Sequence, residues 1–268
     1  MRGAAETMSR PAFSRLPVTV DLPLLLQALA AIGEGDWHSH FNSDYYAGDW
    51  SGVALICAAD ALTELSPGRG ETLLRAPWLQ DARWQQGLRD LPLQIVCARL
   101  LRLGPGGRIH EHRDYDLGAP DADLRLHIPL LSPPRVDFLL DRQRMPMAAG
   151  ECWFLDLSRP HRVDNRDTRA RVHLVLDCRP DTWLEQAILD GLATTPSPQI
   201  GHDAFAQFQA LVASDLQLCK SLQGLQDNEA FIVRALELAA ERGLAFTAEE
   251  LRAAMRDGRR QWNEQWSA

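Results

Sequence analysis

A chain of 268 residues, 46% hydrophobic and 24% charged, can bury a sizeable core and is ordinary for a globular protein. Its formal net charge of −8, with arginines scattered among acids, gives no sign of a phosphate-binding surface and makes nucleic acid an unexpected partner. The 5 cysteines are widely spaced without a CxxC pair, and neither a signal-peptide core nor a long apolar run occurs. No disulfide framework and no membrane span are expected, and the cytoplasm is the default location.

In chain order, residues 1–17 read as a tail. "DLPLLLQALAAIGEG" predicts a helix with Asp21 as N-cap, Pro23 in the first turn and Gly33 as its stop. "DWSGVALICA" and "LPLQIVCARLLRL" are of strand type, and "APWLQDARWQQGLRD" between them spaces its apolar residues as a helix does. From residue 108 the rhythm becomes short strands: "RIHEHRD", "DLRLHIPLL", "RVDFLLD", "ECWFLDL", "HRVDN" and "RARVHLVLDC". That spacing predicts a mainly β fold, a jelly roll with flanking N-terminal helices. In "DLRLHIP", Leu124, Leu126 and Ile128 should face one way and Arg125 and His127 the other.

After Pro180 the pattern is helical. "PSPQIGHD" (196–203) reads as a linker, and "DAFAQFQALVASDLQLCKSL" as one helix with Phe205, Phe208, Leu211 and Leu218 on one face. "DNEAFIVRALELAAERG" starts at an Asp/Asn cap and stops at Gly243, and Thr247 with Glu250 forms a capping-box pattern. Two domains are expected: a jelly roll over 1–195 and a small helical module over 203–268.

The chemistry concentrates in "GPGGRIHEHRDYDLG" (104–118), where Gly104, Gly106 and Gly107 allow a sharp turn into a strand. Strand alternation would let His110, His112, Asp114 and Asp116 share one face. An isolated HxH or HxD is usually a solvated strand edge. His161, after a distant apolar strand, adds a third candidate ligand. Two imidazoles and a carboxylate with open positions are the donor set of non-haem iron(II) oxygenases. Arg171, on an apolar strand ten residues beyond His161, must find an anion or remain a costly unpaired charge. A dicarboxylate co-substrate would supply one through a bidentate pair.

These residues, in "HRDYDLGAPDADLRLHIPL…GECWFLDLSRPHRVDNRDTRARVHLVLDC", resemble the aspartyl/asparaginyl β-hydroxylase family of 2-oxoglutarate-dependent oxygenases, most closely its bacterial L-proline cis-4-hydroxylases. The resemblance is strongest over 104–178. It implies a double-stranded β-helix, and His112, Asp114 and His161 as ligands of Fe(II). It also implies Arg171 as the clamp on 2-oxoglutarate, with Arg125 and His127 lining the same pocket, and O₂ as the second co-substrate. The expected reaction is hydroxylation of an amino-acid side chain, Asp/Asn or Pro, free or in a peptide, with release of succinate and CO₂. Animal aspartyl hydroxylases have Gly where this chain has Asp114, so the three-ligand site is fuller here. His173, two positions beyond Arg171, is either a hydrogen-bond partner in the site or a core histidine.

Two rival readings remain at this level. His110, His112, Asp116 and His161 approximate the metal motifs of cupins, which share the jelly roll, although Arg171 has no role there. The other is a non-enzymatic jelly-roll binding protein. Tyr45, Tyr46, Trp50 and Arg108 are candidates for lining the substrate pocket. The segment 204–257 resembles the nitrogen-fixation-associated leader-peptide helical domain, which favours a peptide substrate or partner. The alternative is a helical cap or a homo-oligomer contact.

Overall fold

The computed structural model describes residues 10–255 except 67, 69, 120, 199–201, 224, 226, 249, 250, 253 and 254. It divides into two compact units, Met1–Pro196 and Ser197–Ala268. The first begins with β1 (Phe13–Arg15), α1 (Leu22–Ala30), β2 (His38–Ser39), β3 (Tyr46–Ala47), β4 (Trp50–Ala58), β5 (Thr72–Leu74), α2 (Ala76–Gln80) and α3 (Arg83–Gly87). A continuous β region follows: β6 (Ile95–Leu103), β7 (Arg108–His112), β8 (Leu124–Leu131), β9 (Val136–Leu140), β10 (Gln143–Arg144), β11 (Trp153–Leu155), β12 (His161–Asn165) and β13 (Arg171–Cys178). Helix α4 (Thr182–Leu189) closes it.

One sheet orders these strands β1-β11-β8-β13-β6-β4-β2, with β5 also paired to β4. The other contains the path β10-β9-β12-β7-β3. From β6 to β13 the chain therefore crosses repeatedly between two antiparallel sheets, which is the double-stranded β-helix that the strand rhythm predicts.

The first sheet has two apolar jobs. Its outer face carries Leu100, Leu126, Ile128, Leu174 and Leu176, which pack with Leu25 and Ala28 of α1, Trp84 of α3 and Leu184 and Ile188 of α4. Its inner face meets the second sheet around Leu103, Ile109, Phe138, Leu140, Trp153 and Val163. Leu124, Leu126 and Ile128 lie on the outer face and Arg125 and His127 turn inward, as their alternation predicts. At the turn before β7, Gly106 adopts φ of 70°, a backbone region that side chains other than glycine's disfavour.

Three local readings differ, besides the tail expected over 1–17, in which Phe13–Arg15 pairs with β11 as β1. Helix α1 stops at Ala30, before Gly33, although Asp21 does cap it by accepting from the Leu24 N–H at 3.2 Å. The stretch 76–90 is two short helices, because the Asp81 carboxylate accepts from the Arg83 N–H at 3.0 Å and restarts the helix. The third concerns β7. His161 lies opposite His112 but Val163 lies opposite Ile109, so three steps on β7 match two on β12. That bulge shifts the alternation by one residue. Ile109 and His112 enter the interior, and His110 is exposed outside it.

In the second unit, α5 (His202–Ser214), α6 (Leu216–Leu222) and α7 (Asn228–Ala240) enclose a separate cluster of Phe205, Phe208, Leu218, Ile232, Leu238, Phe246 and Leu251. The single helix expected over 204–222 is broken at Asp215. Its side chain accepts from the Gln217 and Leu218 N–H groups and so caps a new helix. Asp227 caps α7, and Gly243 (φ 70°) follows its end. Part of the expected linker (199–201) and Glu250 of the capping-box pattern lie outside the described residues. Among the described residues no helix is long and apolar enough to cross a membrane.

Leu174 is fully buried in the outer cluster, on the face of β13 opposite the inward-facing arginine and histidine. Leu174→Ala should cost about 2–5 kcal/mol by urea unfolding. Metal binding by the protein that remains folded should be unchanged.

Candidate metal centre and its cavity

β7 and β12 run antiparallel with His112 directly opposite His161. Asp114 lies just past the end of β7, and its N–H donates to the Leu157 carbonyl at 2.8 Å, which fixes the backbone that carries it. His112, Asp114 and His161 each offer a ligand atom within 4.8 Å of the others, the only such cluster among the described residues. The two imidazole rings are 4.2 Å apart, and His112 Nε2 is 3.6 Å from Asp114 Oδ1.

Backbone carbonyls set the tautomers. His112 Nδ1 is 2.8 Å from the His110 carbonyl, and His161 Nδ1 is 3.0 Å from the Arg159 carbonyl. A carbonyl only accepts, so each Nδ1 carries the proton and each Nε2 presents a lone pair. Burial, outweighing the opposing field of Asp114, pulls His161 down to about 4, so it is neutral at pH 7. Two imidazole nitrogens and one carboxylate oxygen are a donor set that fits a divalent iron ion with positions left for other ligands.

These residues open into a cavity of about 460 Å³. Arg125, His127 and Arg171 line it, as do Tyr45 and Trp50. The Tyr45 ring stands 5.1 Å from that of His112. Tyr46 packs edge-on against Trp50 at 5.4 Å and does not itself line the cavity. Arg108 is not brought to the site. It begins β7, four residues before His112, roughly 13 Å away along an extended strand. It pairs there with Asp164 at 2.8 Å. Asp116 reaches the cavity but is not part of the ligand cluster, and His110 is outside both. The set His110, His112, Asp116 and His161 is therefore not assembled, because the bulge in β7 turns His110 away.

Arg171 is 2% exposed, and no carboxylate pairs with it among the described residues. Its Nη2 donates to His173 Nδ1 at 2.7 Å, and its Nε has no partner. Burial draws the guanidinium down to about 9, which leaves it charged at neutral pH. A buried cation without a counter-ion is a standing site for an anion. His127 contributes a second unpartnered atom, its Nε2, in the same cavity.

Among the cavity residues that the sequence reading did not single out are His40, stacked on Trp50 at 3.5 Å, Phe138 and Arg99, and Asp177 stands behind Arg125 without lining the cavity. Asp177 carried a usable signal, since it continues the inward series Arg171, His173, Val175 on an apolar strand. His40 carried none, because it lies on no regular pattern.

Two histidines and an aspartate converging on one cavity of a jelly roll are a donor set of the kind that metal-dependent oxygenases use. Residues 83–180 match the family described as Aspartyl/Asparaginyl beta-hydroxylase. Over that stretch the chain is similar to this hydroxylase family, which makes it an oxygenase that uses Fe(II), 2-oxoglutarate and O₂. Among solved structures it is similar to an oxidoreductase of the 2OG-Fe(II) oxygenase family from Burkholderia pseudomallei, at 17% identity over 63% of this chain and 85% of that one, TM-score 0.43. It is also similar to a prolyl-4-hydroxylase from Pseudomonas putida, at 15% identity over 63% and 93%, TM-score 0.39. A viral collagen prolyl hydroxylase from Paramecium Bursaria Chlorella virus-1 gives 10% identity over 64% and 97%, TM-score 0.41.

Two predictions come from this geometry. His112→Ala should abolish uptake of Fe(II) or Mn(II) measured by calorimetry, whereas His110→Ala should leave it intact; the opposite result would restore the four-residue set. The second is a pH dependence. Burial, with Arg171 nearby, holds His127 and His173 well below the ordinary value of 6.5. Their lowered folded values mean that the unfolded chain binds more protons below pH 6.5. Their stabilisation is complete above that pH and is lost as the pH falls, by at most about 1.4 kcal/mol per pH unit for each histidine. Urea midpoints of metal-free protein should fall between pH 7.5 and 5, and less so in His173→Phe.

Proposed function

We propose that His112, Asp114 and His161 hold the Fe(II), that Arg171 receives the distal carboxylate of 2-oxoglutarate, and that the enzyme hydroxylates an amino-acid side chain, Asp/Asn or Pro, free or within a peptide. The observation that carries this reading is one cavity holding both the three-donor cluster and a buried guanidinium with no carboxylate partner among the described residues. When bound, the iron supplies the oxidation that couples decarboxylation of 2-oxoglutarate to succinate and CO₂ with insertion of oxygen into a C–H bond.

The chain's own residues do the positioning. His112 and His161 present lone pairs already fixed by their Nδ1 hydrogen bonds, so little reorganisation accompanies metal binding. Arg171 offers its free Nε toward the co-substrate carboxylate, and His173 holds its Nη2 in place. His127 can donate or accept at Nε2 beside it. Ile109, Phe138, Val163 and Val175 give the cavity dry walls, which strengthen each of these polar contacts and keep water from the reacting carbon. Tyr45, Trp50 and His40 form an aromatic wall against which a substrate side chain can lie.

The experiment that tests the reading is succinate formation against a panel of free amino acids and Asp, Asn and Pro peptides. Substrate-dependent succinate with a product 16 mass units heavier is expected; no succinate with any member, under Fe(II) and O₂, would end it. Arg171→Lys should weaken 2-oxoglutarate binding on the order of a hundredfold, because a point ammonium cannot make two parallel hydrogen bonds to a carboxylate. An unchanged requirement for 2-oxoglutarate would remove Arg171 from this role.

The helical unit is, on this reading, a module separate from the chemistry, with an apolar cluster of its own. A chain ending at Pro196 should keep Mn(II) binding and substrate-free decarboxylation of 2-oxoglutarate. Loss of turnover on a peptide alone would make the helices a recognition element, and aggregation of the shortened chain would show that they are needed for its fold.

A further inference from the structure

Only one oxygen of Asp114 is turned toward the histidines. The other, Oδ2, accepts from Arg125 Nη1 at 2.5 Å. Arg125 is held in turn by Asp177, the residue directly opposite it on β13, through Nε to Oδ1 at 2.6 Å and Nη2 to Oδ2 at 3.1 Å. Asp177 Oδ2 also accepts from Arg99 Nη2 at 2.5 Å, and Arg99 Nη1 donates to the Leu65 carbonyl at 2.8 Å. An unbroken hydrogen-bonded chain thus runs from the Leu65 carbonyl through the charged side chains of Arg99, Asp177 and Arg125 to Asp114.

Asp177 is 3% exposed and Arg99 4%. Taking such charges out of water is expensive, and well-packed apolar side chains in their place are often as stable or more so. Apolar clusters on both faces of the sheet hold the strands together beside this chain. What the chain does accomplish is geometric. Asp114 sits beyond the end of its strand with a side chain 26% exposed, so without a restraint its carboxylate can rotate and offer either oxygen. Arg125 spans two carboxylates and cannot let go of Asp114 without leaving a buried guanidinium half-paired.

We infer that Asp177 and Arg99 are positioning residues of the metal centre: they lock Arg125 so that it pins Oδ2 of Asp114 and leaves Oδ1 as the single oxygen presented beside His112 and His161. The inference rests on the ligand assignment proposed above. It also changes the role of Arg125. Its Nε, Nη1 and Nη2 all donate to carboxylates of the protein, so it serves the metal ligand and is not a second clamp on 2-oxoglutarate.

The test uses the full chain without 2-oxoglutarate, titrated with Mn(II) by calorimetry and with Co(II) by visible absorption. The variants are Arg125→Met and Asp177→Asn. In Arg125→Met, Asp177 keeps Arg99 as its partner and Asp114 can be solvated, so the fold should survive, checked by thermal unfolding. Partners of this kind typically contribute ten- to a hundredfold to metal affinity. Both variants should lose about that much Mn(II) affinity and alter the Co(II) spectrum as the second oxygen of Asp114 enters coordination. A merely structural role would lower the unfolding temperature and leave the Co(II) spectrum alone, and that result overturns the inference. So does a folded Arg125→Met with unchanged metal binding and weakened 2-oxoglutarate binding, which makes Arg125 a co-substrate ligand. If Asp177→Asn folds and binds metal as the parent does, Asp177 has no positioning role. If Asp177→Asn fails to fold, Arg125→Met decides alone. If the parent chain takes up neither Mn(II) nor Co(II), the ligand assignment itself falls, and this inference with it.

Discussion

The site depends on one extra residue in β7. Because the bulge sets three steps of β7 against two of β12, Ile109 enters the core and His112 enters the site from the same short strand. Regular alternation would place His110 beside His112 and leave Ile109 in water. The bulge therefore does two things at once: it keeps an apolar side chain in the inter-sheet core and sets an imidazole opposite His161. Cavity, donor set and exclusion of His110 all follow from that register.

The arginines of the interior are treated in opposite ways, and the difference separates two kinds of work. Arg99 and Arg125 converge on Asp177, whose carboxyl burial would push up but whose two guanidinium neighbours hold it down at about 2. Positive and negative charge are matched there within the protein. Arg171, on the same strand as Asp177 and six residues away, has among the described residues only a neutral histidine and the face of Phe138 at 5.8 Å. A matched cluster stabilises a geometry, whereas an unmatched cation waits for a ligand.

Stability and chemistry also occupy different faces of the same strands. β8 and β13 each turn Leu side chains outward to α1, α3 and α4 and turn Arg and His inward, and β13 adds Asp177. The period-2 alternation of a strand makes this division without extra structure. It lets a costly polar interior be carried by a sheet whose other face is continuously apolar.

How much of this was legible in the residues follows from the range of the interactions. Helix caps, glycine turns and strand alternation are local, so the sequence alone determined the jelly roll and set Leu124, Leu126 and Ile128 on the face opposite Arg125 and His127. The order of HxD, a distal His and an Arg ten residues later also pointed to His112, Asp114 and His161 and away from a full cupin set. Where the reading failed, the deciding force was tertiary. Asp81 and Asp215 broke expected helices because their carboxylates found a nearby N–H more favourable than a continued turn. Arg108 met Asp164 across the sheet, a partner far away in sequence. Only the pairing of β7 with β12 could reveal the bulge, and only the pairing of β13 with β8 and β6 could set Asp177 between Arg125 and Arg99. A strand's own sequence states its period; its register, and hence which charges meet inside, is decided by the strands beside it.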